Sequence, residues 1–397
     1  MHKIISKTKE EIIVIKKFKN NQHSKSSFKK KLNEPIQEKA YHFKALFTLQ
    51  KIVLFNYIFI NLFINVISKN KTEDNNNIRK LSFTNEIKIK ILGKGNQNVL
   101  NSEFVSKCTE ITINGNPGVL KENNIVYVSE SEEENTIVMK WDYKLNSSSS
   151  MFMELTNLIE IDLSNFDASE LLTMHSMFSS CKNLKNVIIG KNFDSSKAKH
   201  MTNMFRFCES LISLDLSNLN TKSADSMSFM FESCFSLEYL NLENFDTSSV
   251  TMMSSMFGNC YSLISLNLSN FNTSFVEGMN EMFINCISLK TLDISSFDIS
   301  NVVLIHKMFF NCSSLTSLDL QNFKKTNAMT LVGLFYGCKE IKYINLSNLD
   351  GFYSRSMDSM FSECNKLVSV DISNLNTNHS LFLSFLFKGC VNIEYIY

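Results

Sequence analysis

Residues 255–274 read SMFGNCYSLISLNLSNFNTS, and closely related wording recurs through the C-terminal part of the 397-residue chain. The cysteine of this stretch, Cys260, belongs to a series that runs from Cys208 to Cys390 with a constant 26-residue period. Cys181 precedes Cys208 by one position more than this period, so one copy has an extra residue, and Leu155 fills the same place one period before Cys181. A fixed period of this length is the signature of a repeat array, and the array covers residues 151–397.

The first half of each repeat predicts a β-strand. We count positions within a repeat from the column cysteine, which is position 0. In the copy that follows Cys260, Leu263, Leu266 and Leu268 occupy positions 3, 6 and 8. The two-residue spacing of positions 6 and 8 is typical of a strand, so positions 5, 7 and 9 point the other way. Position 10 is mostly Asn, as in Asn270, and stacked asparagines can satisfy backbone groups where the strand turns away.

The second half of each repeat changes period and predicts a helix. After Ser248, a suitable cap, apolar residues form one stripe at steps of three and four: Val250, Met253, Met256, Phe257 and Cys260. A single repeat this short cannot bury its apolar side alone, and stacking supplies the missing neighbour. We therefore predict an α/β fold over residues 148–397. It is a right-handed, leucine-rich-repeat-like solenoid of about nine to ten repeats, with strand plus helix in each and a parallel sheet on the concave side.

The column cysteines are predicted to be buried free thiols. They are Cys181, Cys208, Cys234, Cys260, Cys286, Cys312, Cys338, Cys364 and Cys390. Neighbouring copies on a helical side would stand roughly 10 Å apart, beyond the reach of a disulfide. No second column of ligands accompanies them, and no His/Cys cluster has zinc-like spacing. We therefore expect no metal and no cofactor.

The segments before the repeats differ in character. Residues 81–147 contain short strand-like stretches and the only tryptophan, Trp141, and they predict a small β-rich N-terminal cap for the first repeat. Residues 1–51 carry 13 Lys and 4 Glu, which predicts a basic, disordered head. Residues 52–67 read IVLFNYIFINLFINVI, and residues 68–80 form a polar linker.

The hydrophobic segment 52–67 favours a transmembrane signal anchor. The positive charge on its N-terminal side predicts a cytoplasmic N-terminus, with the remainder of a single-pass protein at the cell surface. Its length falls short of the roughly 20 residues that a spanning helix needs. A cleaved signal peptide with an unusual leader, a hydrophobic stretch without a membrane role and a wrong gene start remain as alternatives.

The repeat frame resembles the BspA-like leucine-rich-repeat surface proteins. The frame is C-x-x-L-x-x-L-x-L-x-N-F-D-x-S together with M-x-x-M-F-x-x-C, and the likeness spans residues 151–397 but not 1–150. The resemblance implies a leucine-rich-repeat fold and an exported or anchored surface protein implicated in adhesion, and it supplies no catalytic residues. Many bacterial members have a lipoprotein cysteine. In this chain no cysteine follows the hydrophobic segment before Cys108, so a transmembrane anchor would have to replace it.

The outward strand positions 5, 7 and 9 are the candidate binding surface. None of them is Lys or Arg, and seven are acidic. The candidate residues are Glu160, Asp162, Asp215, Tyr239, Asn241, Glu243, Asn267, Asp293, Asp319, Tyr343, Asn345 and Asp371. An acidic, tyrosine-bearing concave face predicts a protein or glycan ligand and disfavours nucleic acid. Calcium between Asp293 and Asp319 would lack ligands, and no arrangement of residues indicates an enzyme.

An intracellular leucine-rich-repeat scaffold for protein–protein interaction, located in the cytoplasm, is the alternative function. The hydrophobic segment 52–67 separates the two, together with N-glycosylation sequons that arise easily by chance in an Asn- and Ser-rich chain. These sequons lie at Asn70, Asn146, Asn267, Asn272, Asn311, Asn345 and Asn378.

Overall fold

The computed structural model describes residues 85–349, 355–375 and 382–397. The predicted head (1–51), membrane segment (52–67) and linker (68–80) lie outside these residues, as do the sequons at Asn70 and Asn378. Within the described ranges, no helix is long and apolar enough to cross a membrane.

The segment before the repeats forms six strands. They are β1 (Asn85–Leu92), β2 (Gly95–Asn98), β3 (Glu110–Ile113), β4 (Asn116–Pro117), β5 (Ile125–Val128) and β6 (Glu134–Trp141), with a 3-10 turn at Glu122–Asn124. The central strand β1 alternates buried and outward residues, and it pairs antiparallel with β6 on one side and with the first strand of the array on the other. The cap therefore supplies the backbone partner that the first repeat would otherwise lack.

The repeats form short parallel strands that stack in register. They are β7 (Leu158–Asp162), β8 (Asn186–Ile188), β9 (Ser213–Asp215), β10 (Tyr239–Asn241), β11 (Ser265–Asn267), β12 (Thr291–Asp293), β13 (Tyr343–Asn345), β14 (Ser369–Asp371) and β15 (Tyr395–Ile396). Where neighbouring strands pair, the position-6 residue faces its own copy, as Leu214 does Leu240 and Leu266 does Leu292. The predicted solenoid and its parallel strands are confirmed.

The predicted helix is wrong. The array is a β-solenoid of about nine turns, and the described residues contain no α-helix, so the fold is not strand plus helix per repeat. Each repeat forms one coil of the solenoid, which we name by the column cysteine at its start. In the coil of Cys234, the amide groups of Ser255 and Phe257 bond to the next coil at 2.9 Å each. The amide groups of Met256 and Cys260 bond instead three residues back along the chain, at 3.2 and 3.3 Å. Consecutive turns of this kind place apolar residues at steps of three and four along the chain, which is also the spacing of an amphipathic helix.

Left-handed residues interrupt the helix in every copy. Ser255 has a φ of 51° and Asn259 a φ of 60°, and the corresponding two residues of all ten copies also have positive φ. An α-helix needs every residue in the right-handed region, with its bonds made inside one segment. In this chain, half of the amides in the segment bond to the next coil instead. Isolated bridges such as Ser226 to Met252 and Met252 to Gly278 mark the same wall of the solenoid.

The core consists of columns of identical side chains. The column phenylalanine rings stack on one another, with centroids 5.2 to 5.8 Å apart from Phe152 to Phe387, and those from Phe152 to Phe361 are buried. This rise is close to the roughly 4.8 Å between paired strands and far below the roughly 8–10 Å between packed helices. Both walls of the solenoid therefore advance by similar steps. The prediction of a concave sheet assumed that helices on the opposite wall are spaced more widely than the strands. With similar steps on both walls, this assumption no longer holds.

Candidate functional site

The strand face is the surface formed by the outward side chains at positions 5, 7 and 9. Strands β9 to β12 each bury their middle residue between two outward-facing ones. The predicted binding residues therefore point away from the core, as two-residue alternation requires. Most of these side chains are exposed, which brings the predicted residues from Asp215 to Asp371 onto one surface.

The Asp and Asn residues at position 7 also stabilise the turn that follows each strand. One side-chain oxygen of each accepts the amide hydrogen of the residue two places on, at 2.9 to 3.1 Å. The residues are Asp162, Asp215, Asn241, Asn267, Asp293, Asp319, Asn345 and Asp371. At Asp293 the hydroxyl and amide of Ser295 both donate to the carboxylate, which lowers the pKa of Asp293. The acidity of this row therefore has a local structural cause, and each side chain keeps acceptor capacity for a ligand.

The N-terminal end of the face is set apart from the remainder. Glu160 forms an ion pair with Lys90 of β1 at 2.9 Å, and Asp162 pairs in register with Lys88. This ion pair raises the pKa of Lys90, chiefly through its hydrogen bond with Glu160. The repeats alone have no basic residue at these positions, and the cap strand adds lysines beside the first coil. Because this pairing joins segments that are far apart along the chain, the repeat pattern carried no signal for it.

Two tyrosines stand out from the centre of the face. Tyr239 and Tyr343 at position 5 are 61% and 66% exposed. The position-5 residues in the coils next to each tyrosine are small: Ser213, Ser265, Ser317 and Ser369. Each tyrosine therefore rises above its neighbours as a wall. The serines were not among the predicted site residues, although their small size beside a tyrosine is visible in the sequence.

A depression lies beside each tyrosine. The first has a volume of about 410 Å³, is bounded by Tyr239 and Glu243, and extends over Ser265, Asn267 and Ser269 of the next coil. The second has a volume of about 290 Å³ and lies between Tyr343 and the preceding coil. Its lining there includes Ser317, Asp319 and Gln321. The two depressions lie on the sides of the tyrosines that face each other.

Both depressions coincide with gaps in the strand ladder. Among the described residues, no backbone hydrogen bond joins β10 to β11, and none joins residues 316–320 to the coil before or after. At position 8, the amide of Leu268 bonds to Asp293 O at 2.9 Å and the amide of Leu346 bonds to Asp371 O at 2.8 Å. The amides of Leu242 and Leu320 make no such bond. Backbone groups are thus left free beside each tyrosine.

The column cysteines are free and buried. Each thiol donates to the carbonyl oxygen of a phenylalanine one coil earlier, at 2.9 to 3.2 Å. Neighbouring copies stand one coil rise apart, so the wider separation predicted from a helix diameter is wrong. Burial raises the pKa of Cys234, Cys286 and Cys338 to about 12. In the part of the chain that the structure describes, no group of His, Cys, Asp and Glu side chains could hold a metal ion.

Two of the solved structures to which this chain is similar illustrate how distant the likeness is. A leucine rich cell surface protein from Faecalibacterium prausnitzii A2-165 shares 17% identity, with 62% of this chain and 75% of that chain covered and a TM-score of 0.33. A complex of TLR13 with ssRNA13 shares 16% identity, with 57% of this chain and 42% of that chain covered and a TM-score of 0.20. Superpositions this poor assign neither fold nor function. No curated protein is significantly similar in sequence.

The repeat array itself matches a family of sequences. Residues 146–240, 226–348 and 317–395 each match the family described as "Mycoplasma protein of unknown function, DUF285". The three matches overlap and together span the whole solenoid, from the end of the cap to the last coil, which is more than half of the chain. The chain therefore belongs to the DUF285 family.

Proposed function

We propose that this protein is a cell-surface repeat protein that binds a protein or glycan partner through its strand face and has no catalytic role. The observation that supports this proposal is the pair of exposed tyrosines, Tyr239 and Tyr343, on a polar and partly acidic surface. Amphipathic rings of this kind supply contact area at low entropic cost. The resemblance of the repeat frame to BspA-like surface proteins supports an adhesive role.

Attachment to the membrane through residues 52–67 is part of the proposal. This largely apolar segment follows a Lys-rich head, which favours an anchor with the N-terminus in the cytoplasm. Protease treatment of intact cells that express the full chain tests it. Digestion of an epitope placed after Tyr397, with an epitope at the N-terminus protected, is the expected result. Protection of both epitopes would favour the intracellular scaffold.

The binding face is tested by removing three carboxylates while keeping their shape. Glu243→Gln, Asp293→Asn and Asp319→Asn are combined in one variant. An amide oxygen at positions 293 and 319 can still accept the turn hydrogen bond, so the free energy of unfolding should change by about 0.5 kcal/mol or less. Attachment of the full chain to cultured epithelial cells should weaken by roughly tenfold, because charge-assisted hydrogen bonds are lost.

The matched control removes three carboxylates from the cap, by Glu103→Gln, Glu122→Gln and Asp142→Asn. All three side chains are exposed. This control should attach as the parent chain does. Equal attachment of the parent and the strand-face variant, with both folded, would contradict the assignment of the face. Loss of salt sensitivity in the strand-face variant indicates a basic protein partner, whereas weaker attachment without a change in salt sensitivity indicates an uncharged glycan.

A further inference from the structure

We infer that the ligand of the strand face is an uncharged oligosaccharide chain that lies across the three coils between Tyr239 and Tyr343, and this inference rests on the binding function proposed above. The surface concerned, the trough, consists of the outward side chains of the coils of Cys260, Cys286 and Cys312. Tyr239 bounds it at one end and Tyr343 at the other.

The trough has matching ends. Ser265 lies next to Tyr239, and Ser317 lies next to Tyr343. Because serine is much smaller than tyrosine, each ring borders a depression in the surface. Four coil steps separate the tyrosines, and only one of them is a hydrogen-bonded strand pair, so at roughly 5 to 6 Å a step their Cα atoms lie about 20 to 24 Å apart. One coil step is similar to the length of one pyranose ring in an extended chain. A short oligosaccharide therefore spans the trough with a sugar ring at each tyrosine.

The side chains of the floor suit hydroxyl groups. Of the nine outward residues in the three coils, only Asp293 and Asp319 are charged, and the other seven are Ser, Thr, Asn or Gln. A sugar hydroxyl both donates and accepts, and this mixture of carboxylates, amides and hydroxyls offers both partners. The apolar faces of sugar rings can stack on tyrosine, as in other mixed polar and aromatic binding surfaces. A strongly basic partner would call for a denser row of carboxylates.

The gaps in the strand ladder also favour small polar groups over a peptide strand. The free amides of Leu242 and Leu320 lie at the two ends of the trough. An added strand would have to enter between two coils and would need a second spacing of about 4.8 Å. The buried phenylalanine rings of these coils stack closely, with centroids 5.5 Å apart for Phe257 and Phe283 and 5.8 Å apart for Phe335 and Phe361. Coils this close leave no room for an inserted peptide backbone.

The test uses the full chain and a series of neutral oligosaccharides from di- to hexasaccharides. We expect affinity to rise with length until the sugar spans both rings and then to level off. Tyr239→Ala and Tyr343→Ala should each weaken binding by roughly 3- to 10-fold, as expected for the loss of one ring contact. Tyr127→Ala, which removes a 53% exposed tyrosine from the cap, should have no effect.

A second pair of variants keeps the test independent of the tyrosines. Ser265→Trp blocks the floor of the trough, whereas Asn96→Trp places the same side chain on strand β2 of the cap, away from the strand face. Both residues are exposed in short strands that tolerate an aromatic residue. Sugar binding should be lost in Ser265→Trp and kept in Asn96→Trp. Bound sugar should also slow hydrogen exchange at the amides of Leu242 and Leu320. Equal effects of the two tryptophans would overturn the inference.

The final arm separates this inference from the proposed function. Cultured epithelial cells are treated either with mild periodate, which cleaves sugar diols, or with trypsin before the chain is added. Loss of attachment after periodate, with salt having little effect, supports the oligosaccharide. Attachment that survives periodate and is lost after trypsin would overturn the oligosaccharide while the proposed binding function stands. Absence of attachment to untreated cells would overturn both.

Discussion

At the scale of the residue, the column cysteine both fills a small space in the core and forms a hydrogen bond through its thiol. Cys286 is fully buried, and its thiol donates to Phe257 O at 3.1 Å, which leaves no unpaired donor at this point of the core. Burial also disfavours the thiolate, and the pKa of Cys286 rises to about 12 from 9.0. The column therefore behaves as small apolar residues at neutral pH and becomes a source of instability at alkaline pH.

We predict that alkaline pH unfolds the solenoid partly through these thiols. A thiol whose pKa is raised by folding stabilises the protein fully below about pH 9, and this stabilisation is lost as the pH rises toward 12. Between pH 10 and 11, Cys286→Ser should reduce the pH dependence of the unfolding free energy by about 1 kcal/mol per pH unit. Urea unfolding of parent and variant at several pH values measures this difference. Reaction of the native column thiols with a thiol reagent at pH 8 would contradict the burial.

At the scale of the element, the second half of each coil is a series of turns in which some residues must be left-handed. Glu154 has a φ of 63°, and the equivalent residues Gly337 and Gly389 have φ values of 71° and 79°. Left-handed backbone costs an ordinary L-residue about 1–2 kcal/mol, whereas glycine adopts it freely. The array tolerates this cost because the same backbone bonds to the next coil, as the amide of Glu154 does to Ser179 O at 2.8 Å.

We predict that Glu154→Gly leaves stability unchanged or raises it by up to about 1 kcal/mol, because relief of the left-handed backbone offsets the entropy of glycine. Glu154 is exposed, so little packing is lost. In a helix the same change would cost about 1 kcal/mol. Glu154→Val is the matched opposite and should destabilise the protein by about 1 kcal/mol or more, since β-branched residues strongly disfavour positive φ. Urea unfolding of both variants decides between turn and helix.

At the scale of the whole molecule, the phenylalanine columns are continuous while the strand ladder is not. The rings stack from Phe152 to Phe387 without a gap. The strands fall into separate sheets, with β9 and β10 in one, β11 and β12 in another, and β13 to β15 in a third. The core therefore holds the coils together, and the strand face keeps joints at which backbone amides lack a bond to the next coil.

We predict that these joints appear in hydrogen exchange. The position-8 amides of Leu242, Ile294 and Leu320 lack a bond to the next coil, whereas those of Leu216, Leu268 and Leu346 have one at 2.8 to 3.1 Å. The first three should exchange faster than the second three, although all six side chains are buried. Residue-resolved exchange by NMR provides the measurement. Uniform protection across the six would show a continuous ladder and contradict the gaps beside the tyrosines.

The sequence by itself determined the features that depend on spacing along the chain. The 26-residue period predicted a stacked solenoid, and the apolar residues at positions 3, 6 and 8 predicted the strand and its buried side. The outward residues from Asp215 to Asp371, including Tyr239 and Tyr343, were likewise identified from alternation alone. These features follow from a two-residue alternation that any parallel stack must obey.

Only the tertiary structure decided which hydrogen bonds form between coils. Apolar steps of three and four fit both a helix and a series of turns, and the choice depends on whether an amide such as that of Phe257 bonds within its own coil or to the next. The ion pair of Lys90 with Glu160 and the free amides of Leu242 and Leu320 likewise depend on contacts between separate segments. A repeat pattern records what each coil buries, and it does not record where each backbone group finds its partner.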